Sequence, residues 1–266
     1  MEVAKELVNE SVDSCRGGSF TLRTLRHELP QGVIVFVCGF PQRDQYGQEI
    51  AAILGEESRY DLYFWQAGDY RSLTSGLDDL ELIVARAKDR APMKPLYLVA
   101  DGIGATFALM CAMGQAESIG GVVAVEPLLF DPPRTWRQQA LCSLAGLMPG
   151  APLNLARRLT PPAPQLERFK DFLASLSNTE VVALVKKLWE IREGAASFFT
   201  PLKVYVAAKE LERVSQFFAD TPSSDAQVYM NDADQDLIGI FKKERAWLLK
   251  QLPLTAHSQE ENDDDD

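Results

Sequence analysis

The sequence predicts an α/β fold in which a mostly parallel sheet is flanked by helices and carries a helical cap insertion. Three observations predict it. The apolar runs Val33–Val37, Leu62–Trp65 and Leu96–Ala100 are short and continuous, and each ends at a Gly or small-residue turn. Such runs suit strands buried on both faces of a parallel sheet. Helical stretches alternate with them, as strand–helix–strand crossovers require. Hydrophobic residues make up 46% of a 266-residue chain, enough to bury a core without a disulfide or metal staple.

Along the chain, the first helix is expected over Gln45–Leu54, between the first two of those strands. Leu77–Lys88 precedes the third strand and Ile103–Met113 follows it. Further strands are expected at Gly121–Val125, Leu202–Ala207 and Val228–Met230. Phe241–Gln251 reads as a closing helix with Ile240, Trp247 and Leu248 as its buried stripe. Between about 129 and 197 the alternation breaks: seven prolines (Pro132, Pro133, Pro149, Pro152, Pro161, Pro162, Pro164) separate helical segments with no strand. This segment is expected to form a cap above the strand C-termini. Val181, Leu184, Val185, Leu188 and Trp189 repeat at helical spacing, which predicts a helix over Glu180–Glu193 capped by Asn178 or Thr179. Trp136, Phe169, Phe172, Trp189, Phe198 and Phe199 are expected mostly in the cap core. Residues 1–254 read as one domain, and the acidic run at 255–266 reads as a disordered tail.

Net charge is −11, with 38 acidic against 27 basic residues. That sign opposes nucleic acid and anionic membrane surfaces as partners. The cysteines Cys15, Cys38, Cys111 and Cys142 are scattered, and Met1 to Asn9 has no apolar signal segment, so a reduced, cytoplasmic setting is expected. No apolar run reaches transmembrane length. No cofactor is expected: Gly102-Ile-Gly104 begins a dinucleotide fingerprint, but position 107 is Phe. No metal is expected either. Asp232-Ala-Asp234-Gln-Asp236 opens like a calcium loop but has Leu237 at the glycine position and Lys243 at the twelfth.

The segment Leu96-Tyr-Leu-Val-Ala-Asp-Gly-Ile-Gly-Ala runs from strand through tight turn to helix, the layout of a nucleophile elbow. Small residues are required two before and two after the nucleophile. Ala100 and Gly104 meet that need around Gly102, whereas taking Asp101 as the nucleophile would put Val99 and Ile103 there. Gly102 therefore holds the nucleophile position, and it has no side chain.

At these residues the chain resembles the α/β-hydrolases, closest to the monoacylglycerol lipase, lysophospholipase and serine aminopeptidase group. Val33-Ile-Val-Phe-Val-Cys-Gly-Phe resembles a strand ending in His-Gly, with Cys38 in place of the His. Tyr60–Trp65 with Gly68-Asp-Tyr-Arg-Ser, Leu77-Asp-Asp-Leu, Lys94–Ala105 and Pro201–Ala207 resemble further segments, so the likeness runs from Phe20 to Leu252. The resemblance implies an acid at Glu210, a histidine position at Asp234 and oxyanion-hole amides at Phe40 and Ile103. The only histidines are His27, before the first strong strand, and His257, in the tail. Acyl transfer needs nucleophile, base and orienting acid together.

The expected function is accordingly a pseudo-hydrolase that binds an acyl or other apolar small molecule, or a protein partner. Two other readings stand beside it. One is an active ester or lipid hydrolase with relocated chemistry at Cys38, assisted by Glu210 or Asp234. The other is an interaction scaffold without a ligand pocket.

Overall fold

A computed structural model describes residues 7–39, 46–54, 59–67, 72–115, 118–130, 135–144, 152–159, 169–192, 200–219, 226–231 and 236–250. Eight strands form one sheet: β1 Val8–Asp13, β2 Ser19–Leu25, β3 Gly32–Cys38, β4 Tyr60–Gln66, β5 Leu96–Asp101, β6 Gly121–Val125, β7 Leu202–Val206 and β8 Ala226–Met230. Their spatial order is β1-β2-β4-β3-β5-β6-β7-β8. β1 pairs antiparallel with β2, and β2 pairs antiparallel with β4; every other pairing is parallel. All six expected strands are present. The β1–β2 hairpin was not expected, and it turns at Gly17 and Gly18 with φ of 93° and 84°.

Among the described residues the helices are α1 Tyr46–Leu54, α2 Leu73–Arg90, α3 Gly102–Gly114, α4 Trp136–Leu144, α5 Pro152–Leu159, α6 Lys170–Ser175, α7 Asn178–Arg192, α8 Leu211–Ala219 and α9 Leu237–Lys250. Alternation along the strands divides the core in two. Val33, Val35, Val37, Leu98 and Ala100 face α2, α3 and α8 and merge with the buried cap residues. Ile34, Phe36, Cys38, Val99 and Tyr205 face α1 and α9. Both faces are buried, so a strand reads as unbroken apolar sequence.

Helices α4 to α7 occupy the interval between β6 and β7, where the cap was expected. The N-cap of α7 lies one residue before the expected Asn178. Glu180 N–H donates to Ser177 Oγ at 3.2 Å, and Ser177 N–H donates to Glu180 Oε2 at 2.8 Å. This reciprocal Ser-x-x-Glu box makes Ser177 the N-cap, rather than Asn178 or Thr179. Trp136 also departs from expectation: it is 73% exposed, while Phe169 is buried. Phe198, Phe199 and the Trp189 side chain lie outside the described residues, as does the 255–266 tail. In α9, Ile240, Phe241 and Leu248 are buried and Trp247 is partly buried against the same cluster.

The far end of the sheet is closed by charge. Asp61 is fully buried, accepts the His27 N–H at 2.7 Å and pairs with Arg90 at 2.9 Å. Arg90 also donates to the His27 carbonyl at 2.9 Å.

Candidate functional site

The central site grows out of the β5–α3 turn. Asp101 is extended, with φ −128° and ψ 158°. Gly102 then turns left-handed at φ 54° and α3 begins. A side chain at that φ costs about 1–2 kcal/mol, and glycine adopts it freely. The two neighbours are small for a measurable reason. A Cβ on Gly104 would lie 2.2 Å from the Val37 carbonyl oxygen, because α3 rests directly on the end of β3. Ala100 is fully buried in register between Val37 and Ala124. Gly39 meets the turn from the other side: its Cβ would lie 2.6 Å from Ile103 N.

Asp101 does not point out as a nucleophile would. Its Oδ1 accepts the Gly39 N–H at 2.6 Å, tying the β3 end to the elbow. Ile103 is buried, so its side chain packs while its backbone remains part of the first helical turn. Phe40, the other oxyanion-hole residue implied by the resemblance, lies outside the described residues. So does Asp234; its neighbour Asp236 accepts the Gly239 N–H at 2.9 Å at the start of α9.

Glu210 follows β7 in a 3-10 turn, Ala208–Glu210, and is buried. Its Oε2 binds Arg213 Nε at 2.8 Å, and Arg213 Nη1 donates to the Leu129 carbonyl at 3.3 Å. The carboxylate thus anchors an arginine that ties α8 to the chain leaving β6. Cys38 is buried at the end of β3, and its side chain belongs to the core on the α1 and α9 face, whereas α3 packs on the opposite face. His27 sits beside the starts of β3 and β4, away from the elbow at the strand C-termini.

The sequence reading missed two residues here. Glu126 directly follows β6 and is buried. Among the described residues it is the one non-glycine with positive φ, 52°. Its N–H donates to the Tyr205 carbonyl at 2.7 Å. A carboxylate placed between an all-apolar strand and Pro127 was the available signal. Thr106, fully buried in α3, accepts the Leu128 N–H at 2.8 Å and donates to the Leu128 carbonyl at 3.1 Å. That pair of bonds fixes the segment after β6 against the elbow helix.

The cap is clipped on beside the site. Besides its own box, the Glu180 carboxylate receives hydrogen bonds from the Ser72 hydroxyl and the Leu73 N–H, at the N-terminus of α2. Ser72 is itself the α2 N-cap, accepting from Ser75 N–H at 3.4 Å. Desolvation pushes the Glu180 pKa up, but the bonds from Ser177, Ser72 and Leu73 outweigh it and hold the group below its ordinary value. Below the cap, Phe172 of α6 meets the Phe107 ring of α3 edge-on at 6.3 Å.

No protein-family model and no curated protein matches the chain at a significant level. Solved structures do. A soluble variant of monoglyceride lipase from Saccharomyces cerevisiae, in complex with a substrate analogue, is 16% identical with a TM-score of 0.58. The alignment covers 94% of this chain and 97% of that one. A thermostable carboxyl esterase from Bacillus coagulans is 11% identical with a TM-score of 0.61, over 92% and 98% of the two chains. The thioesterase domain from the curacin biosynthetic pathway is 16% identical with a TM-score of 0.55, over 92% and 99%. The chain has the α/β-hydrolase fold, and the monoglyceride lipase type is among its structural neighbours. Among the described residues, no helix is long and apolar enough to cross a membrane.

Proposed function

We propose that this protein is a non-catalytic α/β-hydrolase-fold protein, a pseudo-hydrolase that binds an acyl or other apolar small molecule, or a protein partner, where its structural neighbours carry out ester chemistry. The observation that carries the reading is Gly102 at the left-handed turn between β5 and α3: the position that presents a nucleophile in an elbow has no side chain. Glu210 supports it, because among the described residues the acid is engaged by Arg213. His27 supports it as well: its backbone N–H is held by Asp61 beside the starts of β3 and β4, at the other end of the sheet from the elbow. Backbone donors alone leave only residual rate over water. The reading places the protein in the cytoplasm, with its cysteines reduced.

The test is a nitrophenyl-ester panel with chain lengths from two to sixteen carbons, run beside fluorophosphonate labelling. Background hydrolysis and no labelling are expected. Turnover at ordinary enzyme rates accompanied by fluorophosphonate labelling would sink the proposal. Thermal shifts with fatty acids and monoacylglycerols separate ligand binding from a pure scaffold role, since a ligand of the folded state raises its stability.

A further inference from the structure

We infer that the outer face of cap helices α4 and α5 is a docking surface for an acidic protein segment. The charge of the chain is partitioned. Residues 129–197 carry nine basic against six acidic side chains, whereas the rest of the chain carries 18 basic against 32 acidic. The partition sharpens on α4 and α5, whose sequences include Arg137, Arg157 and Arg158 and no acid. α4 packs against α5, and α5 against α7, so the three helices share one surface. Lys186 of α7 is exposed and lies within electrostatic reach of Cys142 on α4.

An anchor sits in this basic field. Trp136 is 73% exposed at the start of α4, with the Arg137 guanidinium 5.6 Å from its ring centroid. Leu144, 53% exposed, closes the same helix. Tryptophan and arginine are both among the residue types enriched at binding hot spots. A partner segment with carboxylates flanking an apolar side chain matches both features: the carboxylates pair with Arg137 and Lys186, and the apolar group covers Trp136. The acidic remainder of the chain repels the same segment, so attraction is confined to the cap and orients the encounter.

A lipid surface fits less well. Between Trp136 and Leu144 the exposed positions of α4 include Gln139 and Ser143, so no continuous apolar stripe is available for insertion. An anionic bilayer would also face the whole acidic body, whereas a peptide samples only the cap.

The experiment uses the full chain and a fluorescein-labelled dodecapeptide of alternating Glu and Leu, followed by fluorescence anisotropy at low and physiological salt. Saturable binding is expected, weakening as salt rises, with the Lys–Leu counterpart binding at least tenfold more weakly. Trp136→Ser and Arg137→Glu should each weaken binding tenfold or more without moving the urea midpoint. Arg59→Glu, an exposed site on the body, should change it less than twofold. No saturable binding, equal binding of the Lys–Leu peptide, or equal loss in Arg59→Glu would overturn the inference. Two further arms assign the face elsewhere and overturn it as well: tighter capture by phosphatidylserine vesicles than by the peptide, or a tenfold gain in peptide affinity on removing residues 260–266.

Discussion

Adding one methyl group at Gly104 should destabilise the protein sharply, and adding one ten residues later on the same helix should not. At Gly104 the new Cβ would stand 2.2 Å from the Val37 oxygen, 2.8 Å from the Val37 carbonyl carbon and 3.0 Å from Gly39 N. All three are backbone atoms, so no side-chain rotation relieves the contact. Ordinary carbon contacts lie near 3.5 Å, so α3 and β3 must part by roughly 1 Å along the closest seam of the elbow. Overpacking of this kind costs about 3 kcal/mol, and for a chain of this size each kcal/mol moves Tm by about 2–4 °C. The Gly114→Ala control meets only Glu81 Oε1, at 3.9 Å. It should be neutral or gain about 0.5 kcal/mol, since alanine loses less backbone entropy in a helix. Urea unfolding of both variants reads the difference as a shift of midpoint at constant slope. If Gly104→Ala unfolds within 0.5 kcal/mol of the parent, α3 does not rest on β3 as described, and the register that puts Gly102 at the nucleophile position fails with it.

Gly102→Ser should cost about 1–2 kcal/mol through its left-handed φ and should give neither ester turnover nor fluorophosphonate labelling, because among the described residues no imidazole faces it. Arg213→Met should lose about 3 kcal/mol at neutral pH by stranding the buried Glu210 carboxylate, and Glu210→Gln should lose less; urea midpoints rank the two. The Glu180 pKa is lower in the folded chain than its ordinary 4.5. Its contribution to stability is therefore full above that pH and is lost as pH falls through the folded value; Glu180→Gln should flatten the acid limb of a stability–pH curve. Burial pushes the Cys111 thiol to about 12, whereas Cys15 is exposed. Ellman's reagent at pH 8 should therefore find Cys15 fast and Cys111 only after unfolding.

How far the sequence reaches depends on what kind of burial it has to encode. β3 to β7 are covered on both faces, so each needs a run of apolar residues, and such runs are legible one strand at a time. β1 is not: of Val8–Asp13 only Val12 is buried, and Val8 and Val12 stand four apart, a spacing that suits a helix as well as a strand. The readable sign was Gly17-Gly18, whose positive φ angles close the hairpin. The elbow register was legible because sterics demand small residues at fixed offsets from Gly102. The partner of Glu210 was not weighed, although Arg213 stands three residues on, because sequence gives spacing but not burial. Nothing in the sequence separates exposed Trp136 from the cap aromatics that are buried; only the packing of α4 on α5 decides which side of the helix faces outward.

The left-handed turn at Gly102 also bears on reversibility. An elbow that presents a serine holds a strained backbone for the sake of its chemistry. With glycine the same turn carries no such strain, and the relief of about 1–2 kcal/mol corresponds to roughly a five- to thirtyfold rise in the ratio of folded to unfolded chains. Selection for abundance alone then favours glycine wherever hydrolysis is not required. On the proposed reading, a serine placed there would bring that strain at once, while activity would also wait on a histidine and on the release of Glu210 from Arg213. The serine and the freeing of Glu210 would each lose stability before turnover could be gained, so folding stability favours the glycine the turn already has.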